Sequence, residues 1–238
     1  MKSYTKLVSV IGIGLLLSSS SLIGSETSPK EILDKAYRYL GGLDQYAFKA
    51  TVIDKESKDT VKIKHQMNAK VDRPDKLMIE IRGDIRNRTD YINNGKFTMY
   101  DHDYNYYGVL DTGGKTIDEV LDYIFSRYAI RAPLTQLVYS DMDKRIKFSK
   151  SKFFGTKEIN GVMCDYVAFA SSQRELHLWI TQGEHPLIKA YTLIEKSLPG
   201  QPTIHTSITW DTNVHIPEDT FTFKVPKDAT QISVTSPN

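Results

Sequence analysis

Strict alternation of apolar and polar residues is the feature that most constrains how this chain can fold. From Val61 to Val71 the odd positions are mostly apolar, and the even positions are all polar. Because successive side chains of a strand point to opposite faces, this pattern predicts a sheet with one face on a core and the other in water. Leu77, Ile79 and Ile81 continue the alternation in the following segment.

The alternation recurs along most of the chain, and residues typical of turns separate the segments, as at Asn93-Asn94-Gly95 and Asn160-Gly161. We expect about ten antiparallel strands in one curved sheet with helices against one face, which is an α+β fold. Besides the two segments above, the candidate strands cover residues 46–55, 88–93, 97–100, 104–110, 147–157, 163–170, 175–180, 188–195 and 204–211.

Two helix starts are clear in the sequence. Ser28-Pro29-Lys30-Glu31 combines a cap residue, a proline at the first helical position and a glutamate three residues after the cap, and Gly41-Gly42 ends the helix. Thr116 and Glu119 repeat the capping box, and the apolar face that follows consists of Ile117, Val120, Leu121, Ile124, Phe125 and Tyr128. A short third helix is expected near residues 133–139.

The first 25 residues have the composition of a secretory signal peptide. Lys2 and Lys6 precede a short apolar stretch from Leu7 to Leu17, and small residues follow it. We expect export to the periplasm, cleavage between about Ser21 and Glu26, and a mature single domain over residues 26–238. The alternative is a retained N-terminal anchor, although the apolar stretch is shorter than the roughly 20 residues of a membrane span.

Charge and cysteine content narrow the classes of partner. The formal net charge is +2, and loss of the two lysines of the leader makes the mature chain about neutral. Nucleic-acid binding requires a concentrated basic surface, so we expect no nucleic-acid partner. Cys164 is the one cysteine, so the chain cannot form an internal disulfide.

The segment from Asp101 to Gly108 is the nearest approach to a metal-binding motif. Oxygen-bearing residues at alternate positions suggest a calcium loop, but Tyr106 and Thr112 occupy the positions where an EF-hand needs glycine and glutamate. We therefore favour a polar hairpin turn. The neighbouring tyrosines 100, 104, 106 and 107 could line an amphiphile site, and cross-strand aromatic pairing is the alternative that we favour.

Catalytic signatures are missing from the sequence. The six histidines show no zinc-protease spacing, and the chain has no nucleophile elbow and no phosphate-binding loop. Cys164 lies in the middle of a predicted strand, where a buried thiol is unreactive. We expect no enzymatic activity, no catalytic residues, no metal and no cofactor.

Seven segments, in their order and spacing, resemble one protein family over about residues 30–233. It is a family of predicted periplasmic proteins, domain of unknown function 2092, similar in fold to the outer-membrane lipoprotein carriers LolA and LolB. The segments are RPDKLMIEI (73–81), NGKFTMY (94–100), IDEVLDYIFSRYAI (117–130), PLTQLVYSD (133–141), INGVMCDYVAF (159–169), LHLWITQGEHPLIKAYTL (176–193) and ITWDTNVHIPEDTFTFKVPKDATQI (208–232).

The resemblance implies an incomplete β-barrel whose strongly curved sheet surrounds an apolar concavity, with two or three helices on the concave face as a lid. With the second helix as that lid, the residues expected to line the concavity and bind a ligand are Val61, Ile63, Met67, Leu77, Ile79, Ile81, Phe97, Met99, Val120, Ile124, Phe125 and Tyr128.

Two functions follow from these expectations. The first is a periplasmic binding or carrier protein that holds a hydrophobic ligand, such as an acyl chain, a lipid or a lipidated polypeptide. The alternative is a structural or regulatory domain that binds a protein partner in the envelope. An open apolar cavity would favour the carrier, whereas a concavity plugged by Phe125, Tyr128 and other large side chains would favour the protein-binding domain.

Overall fold

Twelve strands form one sheet in the computed structural model, which describes residues 28–55, 62–84 and 86–237. Val61 and the predicted signal peptide, residues 1–25, lie outside the described residues. The elements in chain order are α1 (Pro29–Gly41), β1 (Gln45–Lys55), β2 (Lys62–Asp72), β3 (Lys76–Gly83), β4 (Arg88–Asn93), β5 (Lys96–Asp101), β6 (Tyr106–Asp111), α2 (Ile117–Tyr128), α3 (Met142–Arg145), β7 (Lys150–Ile159), β8 (Val162–Ala170), β9 (Arg174–Thr181), β10 (Ile188–Glu195), β11 (Thr203–Asp211) and β12 (Thr230–Ile232).

The strands lie in the spatial order β12-β6-β5-β4-β3-β2-β1-β11-β10-β9-β8-β7. Neighbouring strands are antiparallel, except that β12 pairs with β6 in parallel. Over the described part of the chain, the end strands β12 and β7 do not pair with each other, so the sheet is open. The prediction of a single open antiparallel sheet with helices on one face is confirmed, and the parallel strand β12 was not foreseen.

The capping residues identified in the sequence define the helix starts. Ser28 Oγ accepts a hydrogen bond from the Glu31 backbone N–H at 3.2 Å, and the Glu31 carboxylate accepts one from the Ser28 N–H at 2.9 Å. Thr116 Oγ1 accepts from the Glu119 N–H at 3.1 Å at the start of α2. Where a third helix was expected, the chain forms a 3-10 helix, Thr135–Leu137, followed by the single turn of α3.

Both long helices bury their apolar faces against the same side of the sheet. α1 packs on α3 and on β7, β8 and β9, whereas α2 packs on β5. The strands contribute every second residue to this core, as the alternation predicts; Tyr46, Phe48, Val71, Leu77 and Ile79 are at most 2% exposed. In the ranges that the structure describes, no helix is long and apolar enough to span a membrane.

Candidate functional site

An apolar concavity of about 670 Å³ lies on the helix side of the sheet. That volume lies within the range of about 300–1,000 Å³ that is typical of small-molecule sites. Its sheet wall contains Val52, Met67, Leu176, Leu178, Leu193 and Ile204, and its roof contains Pro133, Leu134, Met142, Ile146 and Phe148.

Strand register explains why the wall residues lie side by side. Leu193 on β10 is directly opposite Leu176 on β9 and Ile204 on β11, so the three side chains form a row across the sheet. Each of them is partly exposed. The row is therefore apolar surface that neither α1 nor α2 covers completely.

A few polar groups face the concavity among the apolar walls. Asp54 Oδ2 lies 3.5 Å from His65 Nε2. The Gln136 side-chain amide donates to the Tyr191 hydroxyl at 2.7 Å. Burial raises the pKa of Tyr191 to about 12, so its hydroxyl stays neutral and keeps a proton to donate. An apolar chamber with a few neutral or paired polar groups suits the apolar part of an amphiphile better than a free charge.

Basic residues border the concavity. Arg145 binds Asp122 through Nη1 at 2.8 Å and also contacts Asp141, and its guanidinium lies 4.0 Å from the Tyr139 ring centroid. Arg174 Nε is 2.9 Å from Glu195. Lys147 also lines the concavity, is exposed, and makes no ion pair with any residue of the described ranges.

Of the residues that the sequence predicted as lining, Met67 lines this concavity. Ile63 is half-buried on β2, and Val61 is outside the described residues. Most of the others join α2 in the packed core: Leu77, Ile79, Ile81, Phe97, Val120 and Ile124 are buried, and Met99 and Tyr128 pack against them. Whether any of them contacts a ligand stays a prediction.

Phe125, the remaining residue of the predicted set, is 49% exposed. It lines a neighbouring depression of about 550 Å³ that shares Leu134 and Gln136 with the concavity. The guanidinium of Arg131 lies 5.0 Å from the centroid of the Phe125 ring. Neither Phe125 nor Tyr128 therefore plugs the concavity.

Most of the wall was not predicted as lining from the sequence, including Leu176, Leu178, Leu193 and Ile204. The sequence placed all four in predicted strands, residues 175–180, 188–195 and 204–211. What it could not show is how far the helices extend over the sheet. α2 packs on β5, and the space remains over β1, β2, β9, β10 and β11.

The segment from Asp101 to Asn105 is a hairpin turn between β5 and β6, as predicted. Asp101 Oδ1 accepts from the backbone N–H groups of Asp103 and Tyr104 at 2.9 and 3.0 Å. The Asp103 carboxylate accepts from Asn87 through its backbone and its side-chain amide. Both carboxylates therefore stabilise local structure, and no three His, Cys, Asp or Glu side chains cluster as metal ligands in residues 28–55, 62–84 and 86–237.

The tyrosines near this hairpin surround one phenylalanine of the C-terminal segment. The Phe223 ring lies 5.7 Å from Tyr91, 5.6 Å from Tyr100 and 5.2 Å from Tyr107, measured between centroids. Tyr104 and Tyr106 lie outside this group, and their rings stack on each other at 6.3 Å. Tyr91, Tyr100 and Tyr107 thus form a tyrosine socket that contacts Phe223 of the chain's own C-terminal segment.

A solved structure with a TM-score above 0.5 supports the fold. An uncharacterized conserved protein from Thermus thermophilus is 12% identical, with a TM-score of 0.52 over 86% of this chain and 98% of that chain. The LolA superfamily protein NE2245 from Nitrosomonas europaea is 11% identical, with a TM-score of 0.37 over 82% and 98%. LprF from Mycobacterium bovis is 11% identical, with a TM-score of 0.44 over 80% and 96%.

Sequence comparison adds the family. Among curated proteins, none matches the chain. A family model described as "predicted periplasmic protein (DUF2092)" matches residues 29–235, which include every helix and strand described above. That description confirms the periplasmic localisation expected from the sequence. The chain therefore belongs to the DUF2092 family of predicted periplasmic proteins.

Proposed function

We propose that this protein binds the apolar part of an amphiphile in the concavity and carries it in the periplasm. The ligand would be an acyl chain, a lipid or a lipidated polypeptide. The observation that supports this proposal most strongly is the concavity of about 670 Å³ with walls such as Leu176, Leu193 and Ile204, which the protein's own side chains leave partly uncovered.

The hydrophobic effect makes such binding energetically reasonable. Burying about ten methylene groups contributes about 8 kcal/mol at roughly 0.8 kcal/mol each. Association and ordering of the chain offset part of that energy. An affinity in the micromolar range, which corresponds to about −8 kcal/mol, is therefore an upper expectation for a single acyl chain.

A binding role also agrees with the state of the reactive side chains. Cys164 is buried, and burial raises the pKa of its thiol, so the nucleophilic thiolate is disfavoured. His177 and His205 bind neighbouring hydroxyls, those of Tyr166 at 2.8 Å and Thr192 at 2.9 Å. We propose that the protein works without catalysis, through its shape and its apolar walls.

A fluorescent fatty-acid probe and two neighbouring substitutions test the proposal. Leu193→Glu places a charge on the wall and should weaken probe binding by at least about tenfold, because an unpaired buried charge costs several kcal/mol. Ile194→Glu is the matched control, since the next residue of β10 points to the opposite face. Leu193→Trp should also weaken binding by filling the space. Circular dichroism and thermal melting verify that each variant is folded.

Two results would contradict the carrier proposal. One is a wild-type protein that binds no acyl probe up to about 1 mM, where the binding free energy is only about −4 kcal/mol. The other is an equal loss of binding in Leu193→Glu and Ile194→Glu, which would place the probe elsewhere. A protein-binding role in the envelope would then be the better hypothesis.

A further inference from the structure

The segment from Lys144 to Lys157 concentrates positive charge in a chain that is otherwise close to neutral. It contains six of the 31 lysine and arginine residues and no acidic residue. Three phenylalanines are interleaved with them, at positions 148, 153 and 154. We call this segment, residues 144–157, the basic edge.

The basic edge lies at one end of the sheet. β7, which forms most of it, pairs with β8 on one side and with no strand of the described ranges on the other. All of its residues except Gly155 and Ile159 are exposed. Phe153 is 39% exposed and Phe154 is 47% exposed, and Lys152 Nζ lies 4.8 Å from the Phe154 ring centroid.

Most of this charge is not neutralised within the protein. Arg145 binds Asp122 and Asp141. The five lysines of the basic edge are exposed and form no ion pair with the residues that the structure describes. Glu158 follows on β7, and Asp165 on β8 accepts a hydrogen bond from Gln182 at 2.7 Å. The edge therefore presents a net positive surface.

Lysines on an edge strand also protect a sheet against pairing with other strands. That role does not account for the two exposed phenylalanines, which add apolar surface on both faces of the edge strand. Phe153 is opposite the buried Val167, whereas Phe154 stacks on Tyr166 of the other face, with the ring centroids 4.8 Å apart. The pairing of β7 with β8 is irregular between Phe153 and Thr156, and Gly155 there has a φ of 94°. A bulged strand is a poor template for a regular added strand, so a peptide is a weaker candidate than a broad charged surface.

The basic edge is continuous with the mouth of the concavity. Four consecutive residues near its start, Arg145 to Phe148, line the concavity. Lys147 and Phe148 also line a second depression of about 420 Å³, together with Lys150 and with Leu33 of α1. Any surface that contacts the edge is thus brought next to the opening.

We propose that the basic edge docks the protein on the anionic surface of a phospholipid bilayer. The lysines bind the lipid phosphates, and Phe153 and Phe154 insert at the boundary between headgroups and acyl chains. Attraction to an anionic leaflet accumulates with each lysine near the surface and declines with salt. Docking would place the opening of the concavity beside the lipid, and it is a property separate from cargo binding.

Cosedimentation with vesicles tests the docking. The exported protein, with its N-terminus verified by intact mass, is mixed with vesicles of phosphatidylcholine alone or with about one-third phosphatidylglycerol. We expect binding to the anionic vesicles that falls as salt increases. Substituting Lys147, Lys150 and Lys152 by Gln should weaken that binding by at least about tenfold. Phe153→Ser with Phe154→Ser should weaken it at both low and high salt.

The matched control removes the same charge elsewhere. Lys49, Lys64 and Lys70 lie on the central strands β1 and β2, and their substitution by Gln should leave vesicle binding unchanged. An equal loss in both triple variants would overturn the proposal, as would a wild-type protein that binds no anionic vesicle at low salt. Binding to an acidic protein without vesicle binding would also overturn it. None of these three results would contradict acyl-probe binding, which is measured without vesicles.

Discussion

Arg73 Nη2 donates a hydrogen bond to the backbone carbonyl of Val138 at 2.7 Å. Arg73 follows β2 at the edge of the core, whereas Val138 follows the 3-10 helix in the roof of the concavity. The same nitrogen lies 3.2 Å from the Tyr46 hydroxyl, which donates to the Leu137 carbonyl at 2.9 Å. One guanidinium therefore ties the sheet to the segment that covers the candidate site.

Replacing Arg73 by Met should destabilise the protein by about 2–4 kcal/mol. The change removes a charged donor and leaves the buried Val138 carbonyl without a partner, and each effect costs about 1–3 kcal/mol. The free energy of unfolding of Arg73→Lys should lie between those of the wild type and Arg73→Met, because an ammonium lacks the planar fork of the guanidinium. Urea unfolding measures the difference.

The exposed Arg127 of α2 provides a control for Arg73. Arg127→Met should change the free energy of unfolding by less than about 0.5 kcal/mol. If Arg73→Met proved as stable as Arg127→Met, the contacts of Arg73 with Val138 and Tyr46 would not hold the roof in place.

Asp90 should make stability fall as the pH rises from about 4 to 6. This carboxyl is 1% exposed, and burial raises its pKa from 3.8 to about 6 even though Arg88 lies 2.8 Å away and opposes the shift. Because the folded state binds the proton more tightly, the stabilisation is complete below pH 3.8 and is lost as the pH passes through about 6.

The comparison with Asp90→Asn isolates this carboxyl from the other acids. The unfolding free energy of the wild type minus that of the variant should decrease between pH 4 and 6, by on the order of 3 kcal/mol, and should level off above about pH 7. Urea unfolding at several pH values measures it. A difference that increases with pH would mean that attraction to Arg88 outweighs burial.

Phe223→Ala should release the C-terminal segment from the tyrosine socket formed by Tyr91, Tyr100 and Tyr107. Loss of a half-buried aromatic ring should cost about 1–3 kcal/mol of stability, less than the roughly 3–5 kcal/mol of a fully buried one. Because Lys224 and Lys227 lie in the released segment, limited trypsin digestion should shorten the chain at these sites faster than in the wild type.

Val225 is the control for this experiment, since it is 58% exposed and two residues from Phe223. Val225→Ala should digest at the wild-type rate. Equal digestion of Phe223→Ala and wild type would show that the pairing of β12 with β6 holds the segment without the socket.

Much of the fold could be predicted because its signals are local. The alternation from residue 88 to 93 and from residue 188 to 195 matches β4 and β10 at both ends, and the caps Ser28 and Thr116 mark the helix starts. β12 escaped prediction because it is a strand of three exposed residues. Its pairing depends on a distant strand, so no local pattern indicates it.

The sequence by itself determined which side chains face inward, because the period of two follows from the geometry of a strand and not from its neighbours. Only the tertiary structure decided where the helices leave the sheet uncovered. Leu77, Ile79 and Phe97 are buried in the same core cluster as the apolar face of α2, whereas Leu176, Leu193 and Ile204 are partly exposed and line the concavity. The two rows are alike in composition, and they differ because packing depends on contacts between residues far apart in the chain.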